Sequence, residues 1–171
     1  MKIIEGLKKI KDLQRKGDDL KKLIAEHCAI SSIQKATYND QETKVRGWLQ
    51  AHTDIVTEVL RLRIAIAKTN LATMVVVDLG NGNAPMRSIA EWIHRRRDLA
   101  QQDFQAWNRL TDKGIVEHQA KGPGDAIIQI DIERFFDPTV RDNMKELYTS
   151  EPSIIDGRLE VVNAITDLIE D

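Results

Sequence analysis

From Val45, the positions Trp48, His52, Ile55, Val59, Leu62, Ile66, Thr69 and Thr73 follow at alternating steps of three and four residues. That spacing is the seam of an α-helix packed along its whole length. A helix over about 41–72 would measure about 48 Å at 1.5 Å per residue. A compact chain of 171 residues does not comfortably hold it, so the expected molecule is elongated.

Ile3, Gly6, Ile10, Leu13, Gly17, Leu20, Ile24 and His27 keep the same spacing, which predicts a first helix over about 2–28. Gly6 and Gly17 on that seam each cost about 1 kcal/mol of helix propensity relative to Ala. Their placement implies a closely approaching neighbour or, at Gly17, a kink. Residues 29–40 lack a period and read as a connection. Asn39 with Glu42 resembles a capping box at the start of the second helix. Ile10, Leu13, Leu20, Ile24, Val45, Trp48, His52, Ile55, Val59, Leu62 and Ile66 thus form an assembly seam. The same heptads serve pairing within one chain or between chains.

Met74 to Leu79 reads as a short strand ending in a turn at Gly80–Asn83, and Ser88 with Glu91 as a second capping box. The helix it opens, over about 89–112, would turn Ile89, Trp92, Ile93, Leu99, Phe104, Trp107 and Leu110 inward and end at Gly114. Ile115–Gln119 and Ala126–Phe135 flank Lys121-Gly122-Pro123-Gly124, and Ile128, Ile130 and Ile132 alternate with polar residues, which predicts a β-hairpin over about 115–135. Pro138 opens a terminal helical region to about 169, which Pro152 splits or kinks. The sum is a single mainly α domain: an elongated antiparallel bundle or coiled-coil hairpin with a small antiparallel sheet or hairpin at one end.

Composition excludes several classes. The net charge of −2 gives no general electrostatic reason to bind nucleic acid or an anionic membrane. Cys28 is the only cysteine, so no internal disulfide or cysteine-rich zinc site forms. The charges in MKIIEGLKKIKDLQ interrupt any signal-peptide core, and no apolar run approaches the ~20 residues of a membrane span. A cytoplasmic protein, or a virion component if phage-encoded, is the expectation. His27, His52, His94 and His118 show no metal-ligand spacing, and no nucleophile motif or paired inward carboxylates emerge. The expectation is a non-enzyme without cofactor or metal.

Two segments invite a ligand. Asp78-Leu79-Gly80-Asn81-Gly82-Asn83-Ala84-Pro85 stands between a strand and a helix, as a phosphate loop would, yet Pro85 replaces the third glycine and no βαβ pattern surrounds it. An ordinary hairpin turn explains it better. Arg95-Arg96-Arg97 spreads around the helix with Glu91 and Asp98 nearby, as a solvated face with local ion pairs would. Trp48, Trp92, Trp107, Phe135 and Phe136 read as core. The basic first helix and the acidic segment after Glu151 would pair across their flanks.

Met1-Lys2-Ile3-Ile4-Glu5-Gly6-Leu7 with Asp12-Leu13-Gln14, Ile66 to Thr73, Ser88 to Asp98, and Ile155-Asp156 through Leu159, Asn163, Thr166 and Leu168 resemble the opening, I-x-x-T-N-x-x-T, capped-helix and closing motifs of the septicolysin-like bacterial proteins. The chain departs from that pattern at Pro152, at the lengthened Gly80–Ala84 turn and at Ala164. The resemblance implies a helical bundle, with Thr69, Asn70, Thr73, Asn163 and Thr166 as polar helix-end contacts. The family's name implies a pore-forming cytolysin, but the alternating run Ile128–Phe135 is shorter than a membrane strand of ~9–11 residues. The leading expectation is therefore a structural protein that self-associates or joins a larger assembly through its helices. A membrane-active protein is the alternative, and a small-ligand or phosphate binder at Gly80–Pro85 or Arg95–Arg97 the second.

Overall fold

The structure is a computed structural model that describes residues 1–80, 82–112, 119–121, 124, 127–129 and 133–170. Helix α1 spans Ile3–His27 and α2 spans Gln41–Ala72; strands β1 (Met74–Val76) and β2 (Met86–Ser88) follow, then α3 (Ile89–His94), a π-helical turn (Arg95–Leu99) and α4 (Ala100–Asn108). Strands β3 (Gln119–Lys121) and β4 (Ile127–Gln129) precede the terminal helix α5 (Pro138–Ile165). The fold is mainly α with small antiparallel β pairings. The chain divides into two compact units: Met1–Val75 with Ser88–Ala90 and Leu159–Asp171, and Val76–Arg87 with Glu91–Arg158.

In the first unit α1 packs against α2 within the chain, which answers whether their seams pair internally. Ile3, Gly6, Ile10 and Gly17 of α1 and Leu62, Ala65, Ile66 and Thr69 of α2 are buried. Leu13, Leu20, Ile24, Val45, Trp48, His52, Ile55 and Val59 are half-buried along the same seam. At the connected end of the hairpin His27, Tyr38 and Trp48 meet as an aromatic cluster, with ring centroids 5.4–5.7 Å apart. Glu58 joins the helices, accepting from Arg61 and from Lys9 across the seam at 2.6 Å; these contacts hold its carboxyl down to about 2. The helix-two cap differs from the expected Asn39 by one residue: Asp40 accepts from the Thr43 amide at 3.0 Å, the three-residue reach that an N-cap needs.

The acidic C-terminal segment returns to the start of α1. The amide of Ile3 donates to the Thr166 carbonyl, that of Leu168 to the Met1 carbonyl, and Lys2 Nζ donates to Asp167 at 2.7 Å. Gly6 explains itself here, because a Cβ at that position would stand 2.9 Å from Leu168 Cδ1. Gly17 is different: α1 runs through it without interruption, and a Cβ there would meet His52 and Ile55 at 3.7 Å, ordinary contact. Gly17→Ala is therefore expected to raise stability by about 1 kcal/mol, read as a higher urea midpoint at unchanged slope. A lower midpoint would show that the groove beside His52 tolerates no methyl group.

The Gly80 loop is a hairpin turn. Ile89 N donates to Thr73 O, Val77 N to Pro85 O and Leu79 N to Asn83 O, an antiparallel ladder. Gly80 and Gly82 sit at φ +91° and +76°, the left-handed region that a side chain disfavours, and Asp78 Oδ1 accepts from the Gly80 amide. Val75, Val77 and Leu79 are buried while Met74, Val76 and Asp78 are exposed, the period-two pattern of a one-faced strand.

The second unit corrects two expectations and decides between two readings of a third. The helix expected over 89–112 carries a π turn, in which the Ala100 amide bonds Arg95 O. The extra residue rotates the following phase by about 100°, so Leu99 is 40% exposed and Ala100 is wholly buried in its place. A single helix runs from Pro138 to Ile165, so the reading of two helices gives way to that of one helix through Pro152. Its neighbours Glu151 and Ile155 are both buried, and their tertiary contacts outweigh the one hydrogen bond that proline removes. Phe135 is 93% exposed, not core. Of the expected 115–135 hairpin, β3 and β4 pair antiparallel with Ala120 opposite Ile128; Ile130, Ile132 and Gly114 lie outside the described residues.

Candidate functional site

Two features among the described residues bear on function. The first is an exposed stripe of α2 beside the seam that packs on α1. Leu49, Val56, Leu60, Ile64 and Leu71 are exposed on it, with Thr53 and Ala67 between them. The steps between these seven positions are four, three, four, four, three and four, an 11-residue repeat that keeps them on one nearly straight stripe. The stripe runs about 33 Å at 1.5 Å per residue. Sequence reading found the inner seam and passed over this one, because its apolar residues are interleaved with charges and with the stronger inner pattern.

The second is a cleft of about 290 Å³ in the second unit, lined by Leu79, Asn83, Pro85, Arg87, Trp92, Arg95, Asp103, Met144, Leu147, Tyr148 and Glu151. Local structure explains how each reaches it. The hairpin turn carries Asn83 and Pro85, and β2 carries Arg87. Met144, Leu147, Tyr148 and Glu151 fall at i, i+3, i+4 and i+7 on one face of α5. Glu151 is 2% exposed and accepts from Arg95 through both oxygens, at 2.5 and 2.9 Å. Arg95 also donates to Asp103 at 2.5 Å and lies over the Tyr148 ring at 5.3 Å. The two carboxylates push the Arg95 guanidinium further toward its charged form.

Arg95 thus departs from the solvated face expected of the arginine run, whereas Arg96 and Arg97 are exposed, paired with Asp156 and Asp98. The cleft joins the two segments that sequence reading had singled out separately, the Gly80–Pro85 loop and Arg95. Arg87, which that reading did not single out, lies 5.5 Å over the buried Trp92 ring. A β-hairpin register, not a motif, brings it there.

The polar helix-end residues sit as follows. Thr69 is buried; its hydroxyl donates to Ala65 O and accepts from the Ile169 amide at 2.9 Å. Thr73 and Thr166 contribute backbone carbonyls to Ile89 and Ile3. Asn163 is half-buried, and Asn70 keeps a buried amide oxygen without a donor among the described residues. Among the described residues no group of histidine, cysteine or carboxylate side chains is arranged to hold a metal ion, and no helix is long and apolar enough to cross a membrane.

No protein-family model matches the chain, and no curated protein matches it significantly. Among solved structures, the crystal structure of a functionally unknown conserved protein from Corynebacterium diphtheriae is similar over 99% of both chains, at a TM-score of 0.57 and 17% identity. That likeness concerns the fold alone. None of these comparisons bears on the septicolysin-like resemblance.

Proposed function

We propose that this chain is a non-enzymatic self-association module whose pairing surface is the outer stripe of α2, with a second copy of the same chain as its partner. The observation that supports this is the symmetry of the stripe. About a two-fold axis at Leu60, Leu49 of one copy falls level with Leu71 of the other, Thr53 with Ala67, Val56 with Ile64, and Leu60 with itself. An antiparallel isologous pair needs such self-complementarity. Asp54 and Lys68 share one flank and come within two residues of level across that pair. Arg63 on the other flank meets its counterpart about 9 Å away along the axis, near the screening length at physiological salt. Burying five large apolar residues from each copy supplies the drive.

Light scattering across a wide concentration range tests the reading, with a discrete dimer expected. Leu60→Glu, which sets two carboxylates face to face on the axis, is expected to give monomer with unchanged helix content. In a Cys28→Ser background, oxidation of a Leu49→Cys/Leu71→Cys protein would link copies twice, while Leu49→Cys alone would not link them. A strict monomer at every concentration would overturn the proposal. Linking by Leu49→Cys alone would overturn the antiparallel arrangement.

A further inference from the structure

We infer that the cleft beside Arg95 is a binding site for a small zwitterion, an α-amino acid with an apolar side chain. Charge bookkeeping within the cleft carries this. Arg95 is one cation held between two carboxylates, Glu151 and Asp103, so that cluster retains one negative charge in excess. Glu151 is buried and both of its oxygens are occupied, whereas the Asp103 side chain is 45% exposed. The excess charge is therefore presented at Asp103. Arg87, also in the lining, pairs with no carboxylate among the described residues; its contact is the face of the Trp92 ring. The lining thus combines a cation with no carboxylate partner among the described residues, a carboxylate in excess and apolar side chains.

A ligand that matches this needs a carboxylate for Arg87, a cationic group for Asp103 and an apolar portion against Leu79, Pro85, Met144 and Leu147. A free amino acid has all three, and about 290 Å³ is close to the lower end of small-ligand pockets. A phosphate alone would satisfy Arg87 but oppose Asp103, and a dicarboxylate would do the same. The construction of the wall fits binding better than stability. A buried ion pair holds a fold together no better than a well-packed apolar pair, and π turns recur where a helix positions a functional side chain. Here the π turn begins at Arg95 itself.

Calorimetric titration of the full chain with L-leucine, L-methionine and L-phenylalanine is the test, with N-acetyl-L-leucine and L-leucinamide as probes lacking one charge each. Saturable binding of one free amino acid per chain is expected. Each blocked probe should bind about tenfold more weakly or worse, since each loses a charge-assisted hydrogen bond. Arg87→Met should abolish binding of the free amino acid, and Asp103→Asn should remove the penalty for acetylation, both without loss of the folded state by circular dichroism. If no free amino acid binds below about 10 mM, the inference fails. It fails equally if N-acetyl-L-leucine binds as well as L-leucine, or if Arg87→Met binds unchanged. None of these outcomes depends on whether α2 pairs two copies.

Discussion

Glu151→Ala is expected to destabilise the protein by about 3 kcal/mol, the scale on which removing one partner of a buried ion pair costs a fold. Glu151 is almost wholly buried and takes two of the Arg95 donors; without it the guanidinium keeps only the exposed Asp103 and the Tyr148 ring. The loss is one of desolvated charge, not of side-chain volume. The double variant Arg95→Met/Glu151→Leu should therefore recover most of the stability that Glu151→Ala loses, since two apolar chains of similar size leave no charge behind. Urea midpoints of the wild type, the single variants and the double variant measure this as a cycle. A Glu151→Ala effect below about 1 kcal/mol would mean that water or Asp103 compensates Arg95 fully.

Loss of the C-terminal clasp is the second large effect. Leu168 is buried beside Gly6, and the residue after it hangs from the Thr69 hydroxyl. Leu168→Ala is expected to cost about 3 kcal/mol, within the range for a buried leucine. Thr69→Val keeps the shape but leaves the Ile169 amide without its acceptor, at a cost of about 1–3 kcal/mol, whereas Thr69→Ser should be nearly neutral. Because both changes release the same segment, their effects should fall short of adding. Hydrogen exchange gives an independent reading: the amides of Ile3 and Leu168, which bond across the clasp, should lose protection together. Separate loss would mean that the segment is not one cooperative element.

Much of the helical architecture was legible because long amphipathic helices repeat their signal over many turns. The ends of α1 and α2 fall within a residue or two of the expected 2–28 and 41–72, which rest on the spacing of Ile3–His27 and Val45–Thr73 and on the cap before Gln41. The Gly80 turn was legible for a similar local reason, glycines at positions that require positive φ. What escaped were features set by single contacts. Asp40, not Asn39, caps α2, and the burial of Glu151 and Ile155 decides between the two readings of Pro152 in favour of one helix. The cleft was half visible. The loop and Arg95 were each noticed, but their meeting and the part of Arg87 depend on a hairpin register and on one face of α5.

The sequence by itself therefore determined the mainly helical class, the pairing seam of α1 and α2, and the one-faced strand before Gly80. Each is a periodic pattern in which every turn repeats the same local preference. Only the tertiary structure decided that the seams close within one chain, that Leu99 yields its buried place to Ala100, and that Arg95 lies between Glu151 and Asp103. Those outcomes rest on single contacts between residues as far as 56 positions apart, whose energy no local spacing encodes.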